Sequence, residues 1–199
     1  MGINLEYSEG QTPIDEDEKL GLKIGTISTK QELDEFEQNN IEKAVQWTLG
    51  KKNPLDVIFS EKFIKELHRR MFGEVWHWAS EFRKSNKNIG VDKSQIRTQL
   101  RNLLDDARYW IEKKTFVEDE IAIRCKHRLV LIHVFPNGNG RHSRLWADVI
   151  VSHLFGKPVF TWGSKHSLSR KNGIRGEYIR ALQKADRGDY DPLIQFARS

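Results

Sequence analysis

The sequence predicts an all-α domain: at least about six helices around one core, with a short two-stranded ribbon near residues 85–96. Three observations predict it. Apolar residues recur at three- and four-residue spacing in one segment after another. Strand-like alternation is nearly absent, appearing only weakly around Asn86-Lys87-Asn88-Ile89-Gly90-Val91. The chain of 199 residues, 38% hydrophobic and 31% charged, is long enough for a full core and shows neither an internal repeat nor a domain linker.

Several classes are set aside by composition. No run of about 18 apolar residues exists, so no membrane span is expected. Acidic residues follow Thr12-Pro13, where a signal peptide would need an apolar stretch. Cys125 is the single cysteine and fits a reducing, cytoplasmic setting. The seven histidines show no metal-ligand spacing. A net charge of +5 favours acidic ligands without indicating nucleic acid.

Residues 1–28 read as an N-terminal arm. Its acidic run Asp15-Glu16-Asp17-Glu18 has little to bury, while Ile14, Leu20, Leu22 and Ile24 could pin it to the surface; disorder is the competing reading. A helix is expected over about 29–50, with Ser28 as N-cap, Gln31 three residues on, and a stripe of Leu33, Phe36, Ile41, Ala44, Val45 and Trp47. Glu37 falls in its middle and reads, by spacing alone, as a solvated carboxylate. Ser60 caps a second helix to Phe72, with Phe63, Ile64, Leu67 and Met71 inward and Lys62, Lys65, Arg69 and Arg70 outward. Val75 to Ala79 is aromatic and expected in the core. Gln95 to Lys113 is a long helix. Another begins near Val117, with acids at its start to suit the dipole, and runs to His133; His127 on it reads as structural. Ile174 to Lys184 and a short segment opened by Pro192 complete the set.

The distinctive stretch is His133-Val134-Phe135-Pro136-Asn137-Gly138-Asn139-Gly140-Arg141-His142-Ser143-Arg144, between the apolar runs Leu129–Ile132 and Leu145–Val151. Pro136 and the glycines break the first helix, and a second starts near Gly140. A Gly/Asn loop feeding a helix N-terminus leaves backbone N–H groups free at the positive end of a dipole. Arg141 and Arg144, three apart, share one side of that turn. The arrangement suits a polyphosphate with a histidine beside it, although a plain turn with a satisfied core histidine has the same local pattern.

The stretch resembles the Fic family motif, His-x-Phe-x-acid-Gly-Asn-Gly-Arg-x-x-Arg, matching at His133, Phe135, Gly138, Asn139, Gly140, Arg141 and Arg144. Val134 stands where the family usually has Pro, and Asn137 where it has Asp or Glu. The N-terminal opening, the segment Arg69–Trp76 and the closing Gly188–Leu193 resemble the Fic subgroup called mobile mystery protein B.

That resemblance implies a Fic-type helical domain over residues 1–199, with a β-hairpin flap beside the catalytic loop. It also implies a protein adenylyltransferase that moves AMP from ATP, with Mg²⁺, onto a hydroxyl of a target protein. In the implied roles His133 is the base. Asn137, Gly138, Asn139, Gly140, Arg141 and Arg144 hold phosphates. Asn137, a neutral residue where the family has an acid, is a weakened Mg²⁺ ligand. Lys87, Asn88, Ile89 and Gly90 form the flap that docks the target. Glu37 is the implied inhibitory residue, pairing with Arg144; Glu32, four residues after Ser28, is the rival. The target is unnamed, self-modification is open, and neither a membrane nor nucleic acid is the expected partner. Other phosphate-group transfers, or a nucleotide- or nucleic-acid-binding module without turnover, remain alternatives.

Overall fold

A computed structural model describes residues 13–164 and 171–199, and the expectation for residues 1–12 lies outside them. Nine α-helices form among the described residues. They are α1 (Glu16–Lys19), α2 (Lys30–Gly50), α3 (Leu55–Ile58), α4 (Glu61–Phe72), α5 (Ile96–Lys113), α6 (Glu118–Ile132), α7 (Asn139–Val149), α8 (Lys171–Ala185) and α9 (Asp191–Arg198). α6 and α7 pack together at the centre, α4 and α5 flank them, α2 lies on α4, and α8 pairs with α9. α7 loosens into a π turn over Ile150–Leu154.

One buried cluster runs from Ile14 to Ala197. Trp76 and Trp146 are its largest fully buried side chains, and the Trp146 indole N–H donates to the Ile58 carbonyl at 3.1 Å. Burying about 200 Å² of such a side chain, at about 25 cal/mol per Å², stabilises by at most about 5 kcal/mol, provided the N–H finds an acceptor. α4 follows its expected pattern: Ser60 Oγ accepts from the Phe63 amide, and Phe63, Ile64, Leu67 and Met71 are buried.

Three expectations need correction. The N-cap of α2 is Thr29, not Ser28. Thr29 forms a capping box with Glu32, whose carboxylate also accepts from the Ser28 amide at 2.8 Å. This local bonding occupies the Glu32 carboxylate at the start of α2. The buried face of α2 is Leu33, Glu37, Asn40, Ala44 and Thr48, while Phe36 and Val45 are exposed. A polar inner face misleads any reading based on apolar spacing.

Finally, no strand forms among the described residues, and residues 85–92 are an irregular loop leading into a 3₁₀ turn at Lys93–Gln95. Lys87, Asn88, Ile89 and Gly90 therefore do not form a hairpin. The loop is held by side chains instead. Asn86 Nδ2 donates to Asp92 at 2.8 Å, its Oδ1 accepts from the Lys93 amide, and Arg83 donates to the Ser85 and Val91 carbonyls.

The described part of the arm is pinned. Ile14 and Ile27 are buried, Leu22 makes an antiparallel bridge to Trp76, and the Lys23 amide donates to the Val75 carbonyl at 2.8 Å. Leu20 takes no part and is exposed.

Candidate active site

His133 ends α6 in a left-handed conformation, φ 55° and ψ 63°. A non-glycine residue held there needs external restraint. Arg83 supplies it: its Nε donates to the His133 carbonyl at 2.6 Å, and its backbone N–H donates to the Val134 carbonyl at 3.1 Å. The loop then crosses over the histidine at Gly90, where φ is +111° and an added Cβ would sit 2.6 Å from the Cβ of His133. Thus covered, His133 is only 3% exposed. Burial, aided by the Arg83 guanidinium, pushes its pKa down to about 4. The ring is neutral at pH 7 and able to accept a proton. Among the described residues neither ring nitrogen makes a hydrogen bond of ordinary geometry, and the backbone of Val130 only partly offsets the effect of burial.

The turn that follows is cross-braced. Asn139 is buried, and its side chain both accepts from the Phe135 amide at 3.0 Å and donates to the Phe135 carbonyl at 2.8 Å. The Asn137 carbonyl accepts from His68 Nε2 at 3.1 Å. His68 Nδ1 accepts from the Ser80 amide, which fixes its tautomer. The His68 ring stacks on Phe135, centroids 3.7 Å apart. Gly138 caps α7 at φ +77°, and a Cβ there would approach Phe72 Cζ to 2.5 Å, so the position requires glycine. Beyond it, helix geometry leaves the amides of Asn139, Gly140 and Arg141 without intrahelical partners, at the positive end of α7. Gly140 has open space at its Cβ position, so a ligand can reach the backbone.

A cleft of about 420 Å³ brings the sequence-derived residues together. His133, Asn137, Gly138, Asn139, Gly140, Arg141 and Arg144 line it, with Glu37 and Ile89. Arg175 and Tyr178 close it from α8, and Ile14 from the arm. The Arg144 guanidinium lies 6.0 Å from the Tyr178 ring centre and makes no ion pair among the described residues.

Glu37 is not a solvated carboxylate. It is 3% exposed, accepting from Trp76 Nε1 at 2.7 Å and from Arg141 Nη1 at 2.5 Å. Its arginine partner is Arg141, the first of the motif, and not Arg144 as the resemblance implied. Arg141, in the first turn of α7, reaches one oxygen of the Glu37 carboxylate, and Trp76 holds the other.

Lys87 and Asn88 do not line the cleft, whereas Ile89 does. His68, Phe72, Trp76 and Arg83 shape the site and were not singled out from sequence. For His68 a signal existed, because it falls at four-residue spacing between Ile64 and Phe72, on the buried face of α4. Nothing local marks Arg83.

Fold and site together define a class: a helical protein in which a glycine-rich loop feeds a helix N-terminus, with a neutral histidine alongside. Residues 58–151 match the Fic/DOC family, and the chain carries a Fic/DOC domain. Protein adenylyltransferase Fic of Aedes aegypti is 30% identical over 158 residues, 77% of this chain and 29% of that protein. Protein adenylyltransferase fic-1 of Caenorhabditis elegans is 28% identical over 141 residues, 67% of this chain and 25% of that protein. The chain thus spans under a third of the length of these relatives.

Among solved structures, a fragment of Fic-1 from C. elegans superposes with a TM-score of 0.62 at 24% identity, covering 80% of this chain and 45% of that one. BepC of Bartonella tribocorum, solved with bound AMPPNP, superposes with a TM-score of 0.67 at 17% identity, covering 92% and 97%. These two likenesses establish the fold.

Proposed function

We propose that the protein is an adenylyltransferase: it transfers AMP from ATP to a hydroxyl side chain of a protein, itself or another. The observation that carries this is the meeting, in one cleft, of a neutral buried histidine, a braced loop with unpartnered amides, and two arginines. The hydroxyl oxygen attacks the α-phosphorus, the bond to the β-phosphate oxygen breaks, and pyrophosphate leaves. His133 takes the hydroxyl proton. The amides of Asn139 and Gly140 stabilise charge on the α-phosphate oxygens, and Arg141 and Arg144 hold the outer phosphates.

Asn137 Oδ1 is the loop oxygen that would ligate Mg²⁺. It already accepts from the Gly138 amide at 2.6 Å, and among the described residues no group of three or more His, Cys, Asp or Glu could hold a metal ion. The residues fit an ion carried in by the nucleotide and ligated chiefly by its phosphates, with one neutral protein oxygen. Bound there, Mg²⁺ would neutralise phosphate charge.

Glu37 makes the resting protein autoinhibited in this reading. It engages Arg141 and sets a carboxylate in the cleft that receives the phosphates, so nucleotide binding must displace or outcompete it. The resemblance of the opening, of Arg69–Trp76 and of Gly188–Leu193 supports placement in the mobile mystery protein B subgroup. Cys125 is buried with its thiol pKa pushed up, which suits a cytoplasmic protein, and among the described residues no helix is long and apolar enough to cross a membrane.

Incubation with ATP, Mg²⁺ and a lysate, followed by mass spectrometry, tests the reaction. An AMP adduct supports it, whereas a phosphate adduct would replace it with kinase chemistry. His133→Ala should abolish the adduct while leaving nucleotide affinity within about threefold, because the loop and the arginines hold the phosphates. Undiminished transfer by His133→Ala would remove His133 from the mechanism.

A further inference from the structure

Lys87 projects from an exposed loop, yet its side chain is only 3% exposed. Its Nζ lies 2.7 Å from Asp15 Oδ2 and 2.5 Å from Glu18 Oε2, both on the N-terminal arm. Ser85, two residues earlier on the same loop, donates to Asp15 Oδ2 at 2.6 Å. These two contacts hold the Asp15 carboxyl below its usual range. Immediately before Asp15, Ile14 is buried and lines the same cleft as His133 and Ile89. The arm therefore presents an apolar side chain to the cleft, then two carboxylates to the loop that covers the histidine.

The loop is built to receive such a segment. An ammonium this covered requires acidic partners, and the carboxylates of Asp15 and Glu18 are the only ones it has among the described residues. The loop's own acid, Asp92, is taken up by Ser94 and Asn86. The arm is anchored beyond Glu18, where Leu22 bridges Trp76 and the Lys23 amide donates to the Val75 carbonyl at 2.8 Å. Displacement of Ile14–Glu18 withdraws Ile14 from the core edge and breaks the Trp78–Glu18 bond, while the contacts of Leu22 and Lys23 keep the arm attached.

We propose that Lys87 selects targets carrying an apolar residue followed by carboxylates, and that Ile14–Glu18 occupies this docking place as a built-in surrogate until an acidic target displaces it. The location as a target site rests on the adenylyl-transfer reading; the charge preference rests on Lys87. The net charge of +5 assists approach of an acidic partner.

The test is peptide binding by fluorescence anisotropy on the full chain, without nucleotide. One labelled peptide copies residues 13–24, and its twin carries Asn and Gln in place of Asp and Glu. The wild-type chain, the double variant Asp15→Asn/Glu18→Gln, and that double variant with Lys87→Gln are compared. Two partly exposed ion pairs allow the double variant to bind the acidic peptide about tenfold more tightly than the wild type. The double variant should prefer the acidic peptide over its twin, and Lys87→Gln should erase that preference. Equal binding of both peptides by the double variant, or a preference that survives Lys87→Gln, overturns the proposal.

If circular dichroism shows the double variant unfolded, Lys87→Glu decides instead. It must favour a peptide with Lys at the acidic positions over the acidic one, and failure to do so overturns the proposal. AMP transfer is followed separately by intact mass. An acid preference without His133-dependent transfer keeps the docking assignment and discards the adenylyltransferase reading, and transfer without that preference does the reverse.

Discussion

Glu37→Gln isolates the charge at the site's most unexpected contact. The amide keeps the shape and can still accept from Trp76 Nε1, now 2.7 Å from Glu37 Oε1, but it cannot hold Arg141 as a carboxylate does. The folded state loses one charge-assisted hydrogen bond, about 1.5–3 kcal/mol, and is relieved of a buried charge, so net stability changes by only about 1 kcal/mol. Nucleotide binding changes more. A carboxylate about 8 Å from a phosphate charge at an effective dielectric of about 20 repels it by about 2 kcal/mol, and roughly half of that survives in an open cleft. Freeing Arg141 for a phosphate adds a charge-assisted bond of about 1.5 kcal/mol or more. The sum predicts that ATP binds at least about tenfold more tightly to Glu37→Gln, since about 1.4 kcal/mol is tenfold. Calorimetric titration with a non-hydrolysable ATP analogue and Mg²⁺ measures it. Adding Arg141→Ala should cancel the gain, whereas adding Arg144→Ala should weaken both forms and leave their ratio. Equal affinities in a folded variant, or cancellation by Arg144→Ala alone, would refute the assignment of Glu37 to Arg141.

Three further outcomes are expected. Gly138→Ala forces a Cβ to 2.5 Å from Phe72 at a φ of +77°, so ATP affinity measured by the same titration should fall by more than about tenfold while the circular dichroism stays helical. Asn137→Asp keeps an acceptor for the Gly138 amide and adds a charge, so a Mg²⁺ titration at fixed nucleotide should reach its midpoint at lower metal concentration. Acid should destabilise the fold. Burial holds His142 and His133 at about 4 against an ordinary 6.5, so the unfolded chain binds more protons between these values. The associated stability is fully present above about pH 6.5 and lost as pH falls to about 4. It is on the order of 3 kcal/mol for His142 alone, and urea midpoints across that range would reveal it.

Helix periodicity, capping residues and the Pro/Gly-rich turn are local properties, so the helical class, α4 through α6 and the phosphate loop were legible in the chain itself. So was the cluster from His133 to Arg144, because short-range geometry alone brings a helix end, a glycine turn and a helix start together. What the sequence left open is set by contacts between distant segments. Glu37 and Arg141 are 104 residues apart, and Arg83 reaches the His133 carbonyl across 50. Such pairs leave no periodic trace, since a buried polar side chain looks like a solvated one until its partner is in place. α2 illustrates the point: its apolar residues Phe36 and Val45 face solvent, and its inner face carries Glu37 and Asn40 because Trp76, Glu74 and Arg141 are there to satisfy them. The alternation near residues 86–91 suggested a ribbon. Tertiary structure chose an irregular loop instead, because Arg83 and Asn86 satisfy its backbone and Lys87 is drawn to the acids of the arm.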